Sequence, residues 1–66
     1  MDLSFKLASL LEDLDISFEV IPIDDVKYSI EFTYDGTFYD VEFVDENNLV
    51  VNGEEITYKD FIINTF

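Results

Sequence analysis

Leucine residues near the N-terminus recur at the spacing of one helix face. The positions that share this face are Leu3, Leu7, Leu10, Leu11 and Leu14. Spacings of three and four residues bring side chains together on an α-helix, so the pattern predicts an amphipathic N-terminal helix. Asp2 precedes the first of these leucines and is the expected N-cap.

The C-terminal end of this predicted helix is acidic. Glu12, Asp13 and Asp15 fall in or just after its last turn. Negative charge at the negative pole of the helix dipole costs about 0.3–1 kcal/mol for each residue. A local rule broken in this way is typical of a functional surface, although a chain this acidic also places carboxylates there by chance.

Alternating apolar and polar positions then predict antiparallel strands. Residues 17–23 form the first, and Pro22 favours an edge position because proline cannot donate a ladder hydrogen bond. Asp24-Asp25 is a predicted turn. Residues 26–34 alternate strictly from Val26 to Tyr34, and residues 37–44 form the return strand.

The connection between these two strands sets their register. Asp35-Gly36 is a strong signal for a two-residue type I′ turn, since both residues tolerate positive φ. With that turn every pair on one face is apolar, which makes pattern and turn agree on a single register. The predicted pairs are Phe32 with Tyr39, Ile30 with Val41, and Tyr28 with Phe43.

The opposite face of this hairpin is predicted to be acidic. The same register sets Glu31 against Asp40 and Ser29 against Glu42. Like charges that oppose each other on neighbouring strands are destabilising. Because residues two apart on a strand lie about 7 Å apart, Glu31, Asp40 and Glu42 should form a compact carboxylate patch. Phe38 shares this face, either as an interface anchor or packed against another strand or the tail.

A second hairpin and a terminal segment complete the pattern. After a turn at residues 45–48 and a short strand at 49–51, Asn52-Gly53 is another two-residue turn signal. The tail has two interpretations. Thr57 with Asp60 at N3 resembles a capped helix start, whereas residues 56–63 could also continue as a last strand; we favour the helix.

These elements predict a single compact domain over residues 1–66, of α+β class. An N-terminal helix packs on a small antiparallel sheet of four to five strands, arranged as a meander of hairpins. The hydrophobic share of 48% supplies the core, because a chain without cysteine and histidine has neither a disulfide nor a zinc site to stabilise it.

The net charge favours some classes of binding partner over others. Sixteen Asp and Glu against three Lys give a net charge of −13. At an expected radius of gyration of about 11 Å and a Debye length of about 8 Å, many carboxylates repel one another. Direct binding to DNA, RNA or an anionic membrane is therefore disfavoured, and a basic partner is favoured. The charge could instead keep an aromatic-rich protein soluble, or reflect a high-salt habitat.

Several chemistries are excluded. Without histidine or cysteine there is no catalytic triad, thiol nucleophile or zinc site. An EF-hand loop counted from Asp45 would need Gly and Glu where the chain has Val50 and Ile56. We expect no enzymatic activity, no catalytic residue, no metal and no cofactor. The absence of a signal peptide and of a long apolar stretch favours a cytoplasmic location.

In size and acidity the chain resembles the small anti-defence proteins of bacteriophages, including anti-CRISPRs and uracil-DNA glycosylase inhibitors, and the acidic immunity proteins that block nuclease toxins. The resemblance is one of size and amino-acid composition and involves no shared sequence motif. It implies an inhibitor whose carboxylates replace backbone phosphates against a basic protein, either a nucleic-acid-binding enzyme or an effector complex. The predicted partner-binding residues are Glu31, Asp40, Glu42, Phe38, Asp35, Glu12, Asp13 and Asp15.

A second hypothesis is a structural or assembly adaptor whose acidity serves solubility. The predicted edge strand at residues 17–23 could be extended by a partner strand or closed in a homodimer. The sequence does not decide the oligomeric state between a monomer and a homodimer.

Overall fold

Two helices cover one face of a five-stranded antiparallel meander in the computed structural model, which describes residues 3–25 and 27–66. The elements in chain order are α1 (Leu3–Asp13), β1 (Phe18–Pro22), β2 (Tyr28–Tyr34), β3 (Thr37–Phe43), β4 (Asn48–Val51), β5 (Glu54–Thr57) and α2 (Tyr58–Thr65). Spatial order follows the chain, so β1 and β5 are the edges. The predicted α+β fold, with its hairpin meander and short C-terminal helix, is confirmed.

The core lies between the two helices and the inner face of the sheet. It contains Leu3, Leu7, Leu11, Ile30, Phe32, Val41, Leu49 and Phe61. Full burial of such a side chain contributes about 1.5–3 kcal/mol, which makes this cluster the main source of stability. The predicted helix face was wrong for Leu14, which is 45% exposed because α1 ends at Asp13. The predicted N-cap, Asp2, lies outside the described residues.

Both two-residue turns have the predicted left-handed backbone. The φ angles are 52° at Asp35 and 79° at Gly36, and 51° at Asn52 and 88° at Gly53. Positive φ at both central residues is what a type I′ turn requires. The predicted β2–β3 register is confirmed from Ser29 opposite Glu42 to the turn. Of the predicted strand at 26–34, Val26 lies outside the described residues.

The tail is helical. Thr57 caps α2, since its Oγ1 accepts a hydrogen bond from the backbone N–H of Asp60 at 3.2 Å. Phe61 is buried, and the Phe66 ring packs on Tyr34 with the ring centroids 4.9 Å apart. The interpretation of this segment as a last strand was therefore wrong. Within the described residues no helix is long and apolar enough to cross a membrane.

Candidate partner-binding surface

Three carboxylates form a row across the outer face of the sheet. Glu19, Glu31 and Asp40 occupy directly opposite positions on β1, β2 and β3. Because neighbouring strands lie about 4.8 Å apart, the acid row spans about 10 Å. In the part of the chain that the structure describes, none of the three forms an ion pair with a lysine. Their mutual repulsion is therefore left without a compensating positive charge.

Asp40 is the most constrained member of the acid row. Its backbone N–H donates to Oδ1 of Asn52 at 2.8 Å, and the Asn52 side chain donates to the carbonyl of Phe38 at 3.0 Å. One carboxylate oxygen of Asp40, Oδ1, is buried and has no hydrogen-bond partner among the described residues. A buried acceptor without a donor costs free energy, so this oxygen adds to the cost of placing Asp40 in the acid row.

An open groove of about 700 Å³ lies at one end of the acid row. It exists because β1 starts at Phe18, opposite Phe32, while β2 continues to Tyr34. Four acidic residues and two phenylalanines are among the residues that line it: Asp15, Glu19, Glu31, Asp35, Phe18 and Phe38. The structure thus brings four of the predicted residues together in this edge groove, namely Asp15, Glu31, Asp35 and Phe38.

The other predicted residues lie outside the edge groove. Glu42 is exposed on the outer face, two residues beyond Asp40 and opposite Ser29, so it extends the acidic surface along β3. Glu12 and Asp13 are exposed in the last turn of α1 and do not line the groove. Of the three acidic residues at the end of the helix, Asp15 is thus the one that lines the edge groove.

Phe38 is exposed, as its outer-face position predicts. Its side chain is 53% accessible, opposite Thr33 on β2. Packing against the tail is excluded for the described chain, because the tail aromatic, Phe66, covers Phe32 and Tyr34 on the inner face instead. An exposed aromatic ring beside carboxylates has the composition of an interface anchor.

Asp15 reaches the edge groove because of how α1 ends. The N–H of Asp15 donates to the carbonyl of Glu12 at 3.0 Å, and that of Ile16 donates to the carbonyl of Leu11 at 2.8 Å. This pair of bonds is a Schellman motif, with Asp15 at φ 60° in the position that glycine usually takes. The motif turns the chain directly into β1.

Glu19 is the site residue that the sequence did not reveal. Its apolar neighbours Phe18 and Val20 indicate a strand, yet the connection to β2 is longer than two residues and does not determine the register. No family model, curated protein or solved structure matches this chain. The surface must therefore be interpreted from its own chemistry.

Two of the three lysines lie away from the acid row. Lys6 and Lys59 line a different groove, which also contains Glu46 and the start of α2. Within the described residues no three acidic side chains converge in an arrangement that could hold a metal ion. The acidic surface therefore offers separate carboxylates on neighbouring strands, which suits several basic side chains at once.

Two groups of the described residues that lie outside this surface have shifted pKa values. Hydrogen bonds from the Asn47 backbone and then the Asn48 side chain hold the pKa of Asp45 below its usual range. Burial raises the pKa of Tyr58 above its usual range. Asp45 caps the β3–β4 connection, with Oδ1 accepting from the N–H of Asn47 and of Asn48 at 2.9 Å. Its role there is structural.

Proposed function

We propose that this chain is a binding protein that occupies a basic, nucleic-acid-binding surface of a target protein, with carboxylates in the place of backbone phosphates. The observation that carries the proposal is the acid row of Glu19, Glu31 and Asp40, which no lysine of the described chain neutralises. Like charges in directly opposite positions oppose folding. An arrangement that costs stability is typical of a functional surface.

The spacing of the row supports this function. Its charges follow one another at the strand separation of about 4.8 Å. Glu42 and the groove carboxylates Asp15 and Asp35 widen the surface on both sides of the row. A basic surface that binds several phosphates would meet several carboxylate acceptors here.

The rigidity of the surface also supports it. Glu19, Glu31 and Asp40 are held on three hydrogen-bonded strands, so their backbone positions are fixed before binding. A preorganised surface loses little conformational entropy on association. Phe38 stands beside the row and would add an apolar or cation–π contact to the guanidinium group of a target arginine.

The targets that suit this chemistry are nucleic-acid enzymes and effector complexes in the cytoplasm. Phage anti-defence inhibition, of the anti-CRISPR or glycosylase-inhibitor type, is the form of the proposal that agrees best with the small size and the charge of −13. Association would be fast, electrostatically steered and weakened by salt.

A triple charge reversal tests the proposal. The tagged protein is used at low salt to capture proteins from a bacterial lysate, and bound proteins are released by a salt gradient. We expect a nucleic-acid enzyme that is released by moderate salt and displaced by added DNA or RNA. The variant Glu31→Lys with Asp40→Lys and Glu42→Lys should fold and lose this binding.

A second triple variant is the matched control. Glu46→Lys with Glu54→Lys and Glu55→Lys changes the net charge by the same amount, in the β3–β4 connection and on the other edge strand, β5. It should keep most of the binding. If both variants lose binding equally, binding depends only on the net charge, and the assignment of the acidic outer face as the binding surface is wrong. If neither loses binding, phosphate mimicry is wrong.

The adaptor hypothesis has one specific observation in its favour. Val20 and Ile23, in and just after the edge strand β1, are 51% and 52% exposed. Apolar side chains at an open edge are typical of a strand that pairs with another chain. Recovery of a salt-resistant complex that nucleic acid does not displace would support an adaptor instead.

A further inference from the structure

The edge strand β1 has one unpaired side. It lies at the end of the sheet, next to β2 alone. Val20 on its inner face is 51% exposed, so the helices that cover the rest of that face do not cover this position. The edge is thus accessible to another strand, and it ends at Pro22, whose ring limits how far such pairing could continue.

The direction of the free backbone groups follows from one hydrogen bond. The N–H of Ile23 donates to the carbonyl of Lys27 at 2.8 Å, so Ile23 faces β2. Backbone groups alternate along an antiparallel strand. The N–H and C=O groups of Phe18 and Val20 therefore point away from the sheet. Pro22 falls in the same outward series, where its missing N–H breaks no ladder bond.

The two faces of this edge differ in chemistry. On the inner face, a strand added beside β1 would contact Val20 and Phe18, which are apolar. On the outer face it would lie beside Glu19, the end of the acid row. Side chains of an added strand alternate between these faces. A segment that satisfies both faces has apolar residues alternating with basic ones.

We propose that the target contributes an extended segment of alternating apolar and basic residues, which adds to the sheet as a sixth strand beside β1. This inference rests on the proposed function, because the basic side chains of the segment continue the acid row that Glu19, Glu31 and Asp40 begin. Backbone pairing gives affinity, and the alternation gives specificity.

A second copy of the chain is a poor occupant of the same edge. Pairing two chains would bring together two molecules that each carry a charge of −13. Repulsion of that size opposes association at physiological salt. Charge complementarity therefore selects a basic segment over self-pairing through β1.

Two synthetic peptides test the inference with the unaltered protein. In one, lysine alternates with valine; in the other, the same residues stand in separate blocks. We expect the alternating peptide to bind about tenfold more tightly, as one or two net backbone hydrogen bonds would give. Residue-resolved amide exchange should show new protection at Phe18 and Val20. Equal affinities with no protection at these amides would overturn the inference.

Variants separate this inference from the proposed function. Val20→Pro removes an outward N–H and keeps the net charge. It should lower the affinity of the protein for the alternating peptide to the affinity for the blocked peptide. Val20→Thr makes the same loss of the apolar side chain but keeps the N–H, so it should bind the alternating peptide more tightly than Val20→Pro does. Glu31→Lys with Asp40→Lys should weaken both peptides. If charge reversal weakens binding while Val20→Pro does not, strand addition is wrong and phosphate mimicry stands. If charge reversal has no effect, phosphate mimicry is wrong.

Self-association is measured in parallel by sedimentation of the free protein. We expect a monomer in which the Phe18 and Val20 amides exchange freely at micromolar to millimolar concentration. A dimer that already protects these two amides would show that a second copy occupies the edge, and would overturn the assignment of a basic segment.

Discussion

The side chain of Asn52 accepts a hydrogen bond from the backbone N–H of Asp40 at 2.8 Å, and the backbone N–H of Asn52 donates to the carbonyl of Asp40 at 3.0 Å. The β4–β5 turn is thereby fastened to β3 beyond the last residue of β4. The Asn52 side chain makes hydrogen bonds to β3 of the kind that the backbone of a further β4 residue would make. It also fixes the backbone from which Asp40 presents its carboxylate.

Removal of this side chain should destabilise the fold. Asn52→Gly keeps the positive φ that the turn needs and deletes the bonds to Asp40 and Phe38. We expect a loss of about 1–2 kcal/mol in the free energy of unfolding, measured by urea denaturation. Asp35→Gly is the matched control, since Asp35 holds the same turn position at φ 52°. Equal losses in the two variants would contradict a role for the Asn52 side chain.

The end of α1 should be open to stabilisation. Asp15 holds a left-handed backbone at φ 60° and adds negative charge at the C-terminal pole of the helix. Asp15→Gly removes both penalties and should raise the free energy of unfolding by about 0.5–1 kcal/mol. Asp15→Asn removes only the charge and should give a smaller gain.

Asp15→Ala separates backbone strain from charge. It removes the same charge but keeps a Cβ in the left-handed region, so it should be less stable than Asp15→Gly and Asp15→Asn. Thermal unfolding of the three variants under one buffer condition gives the order. Alanine equal to glycine would show that charge alone accounts for the effect.

The hairpins could be predicted because their determinants are local. A two-residue turn such as Asp35-Gly36 leaves one register, and that register decides that Glu31 faces Asp40. The capped start of α2 is also local, since Thr57 and Asp60 lie three residues apart. These short-range signals were sufficient for the strand order of the meander and for most of the acidic face.

The remaining features depend on distant contacts. The register of β1 pairs Phe18 with Phe32 and Val20 with Ile30, which are distant in the sequence, and it thereby places Glu19 in the acid row. Nothing in the sequence around Asn52 indicates that its side chain reaches β3. The end of α1 was predicted too late because Asp15 replaces the glycine that usually marks such an end.

Relief of repulsion in the acid row should be measurable as stability. Glu31 stands between Glu19 and Asp40, so Glu31→Lys converts two repulsive pairs into attractive ones. We expect a gain of about 1 kcal/mol at low salt. Glu55→Lys is the control, because Glu55 lies on the same outer face opposite Val50 and has no opposing acid.

Salt dependence checks the origin of that gain. At 1 M salt the Debye length is about 3 Å, so interactions between partly exposed charges on neighbouring strands are largely screened. The advantage of Glu31→Lys over Glu55→Lys should therefore shrink in urea titrations repeated at high salt. An advantage that is unchanged by salt would mean that packing or strand propensity, rather than charge, produced it.

The pH dependence of stability should show the contribution of Asp45. Its pKa in the folded chain is lowered by hydrogen bonds from the Asn47 backbone and then the Asn48 side chain, below the ordinary value of 3.8. A carboxylate of this kind stabilises the fold above its unfolded pKa, and the contribution is lost as pH falls through the folded pKa. Asp45→Asn should therefore be less stable than the parent chain at neutral pH. The difference should disappear in acid, as followed by urea denaturation at a series of pH values beside an NMR titration of the Asp45 carboxyl. A difference that stays constant across this range would mean that the lowered pKa of Asp45 does not contribute to the stability of the fold.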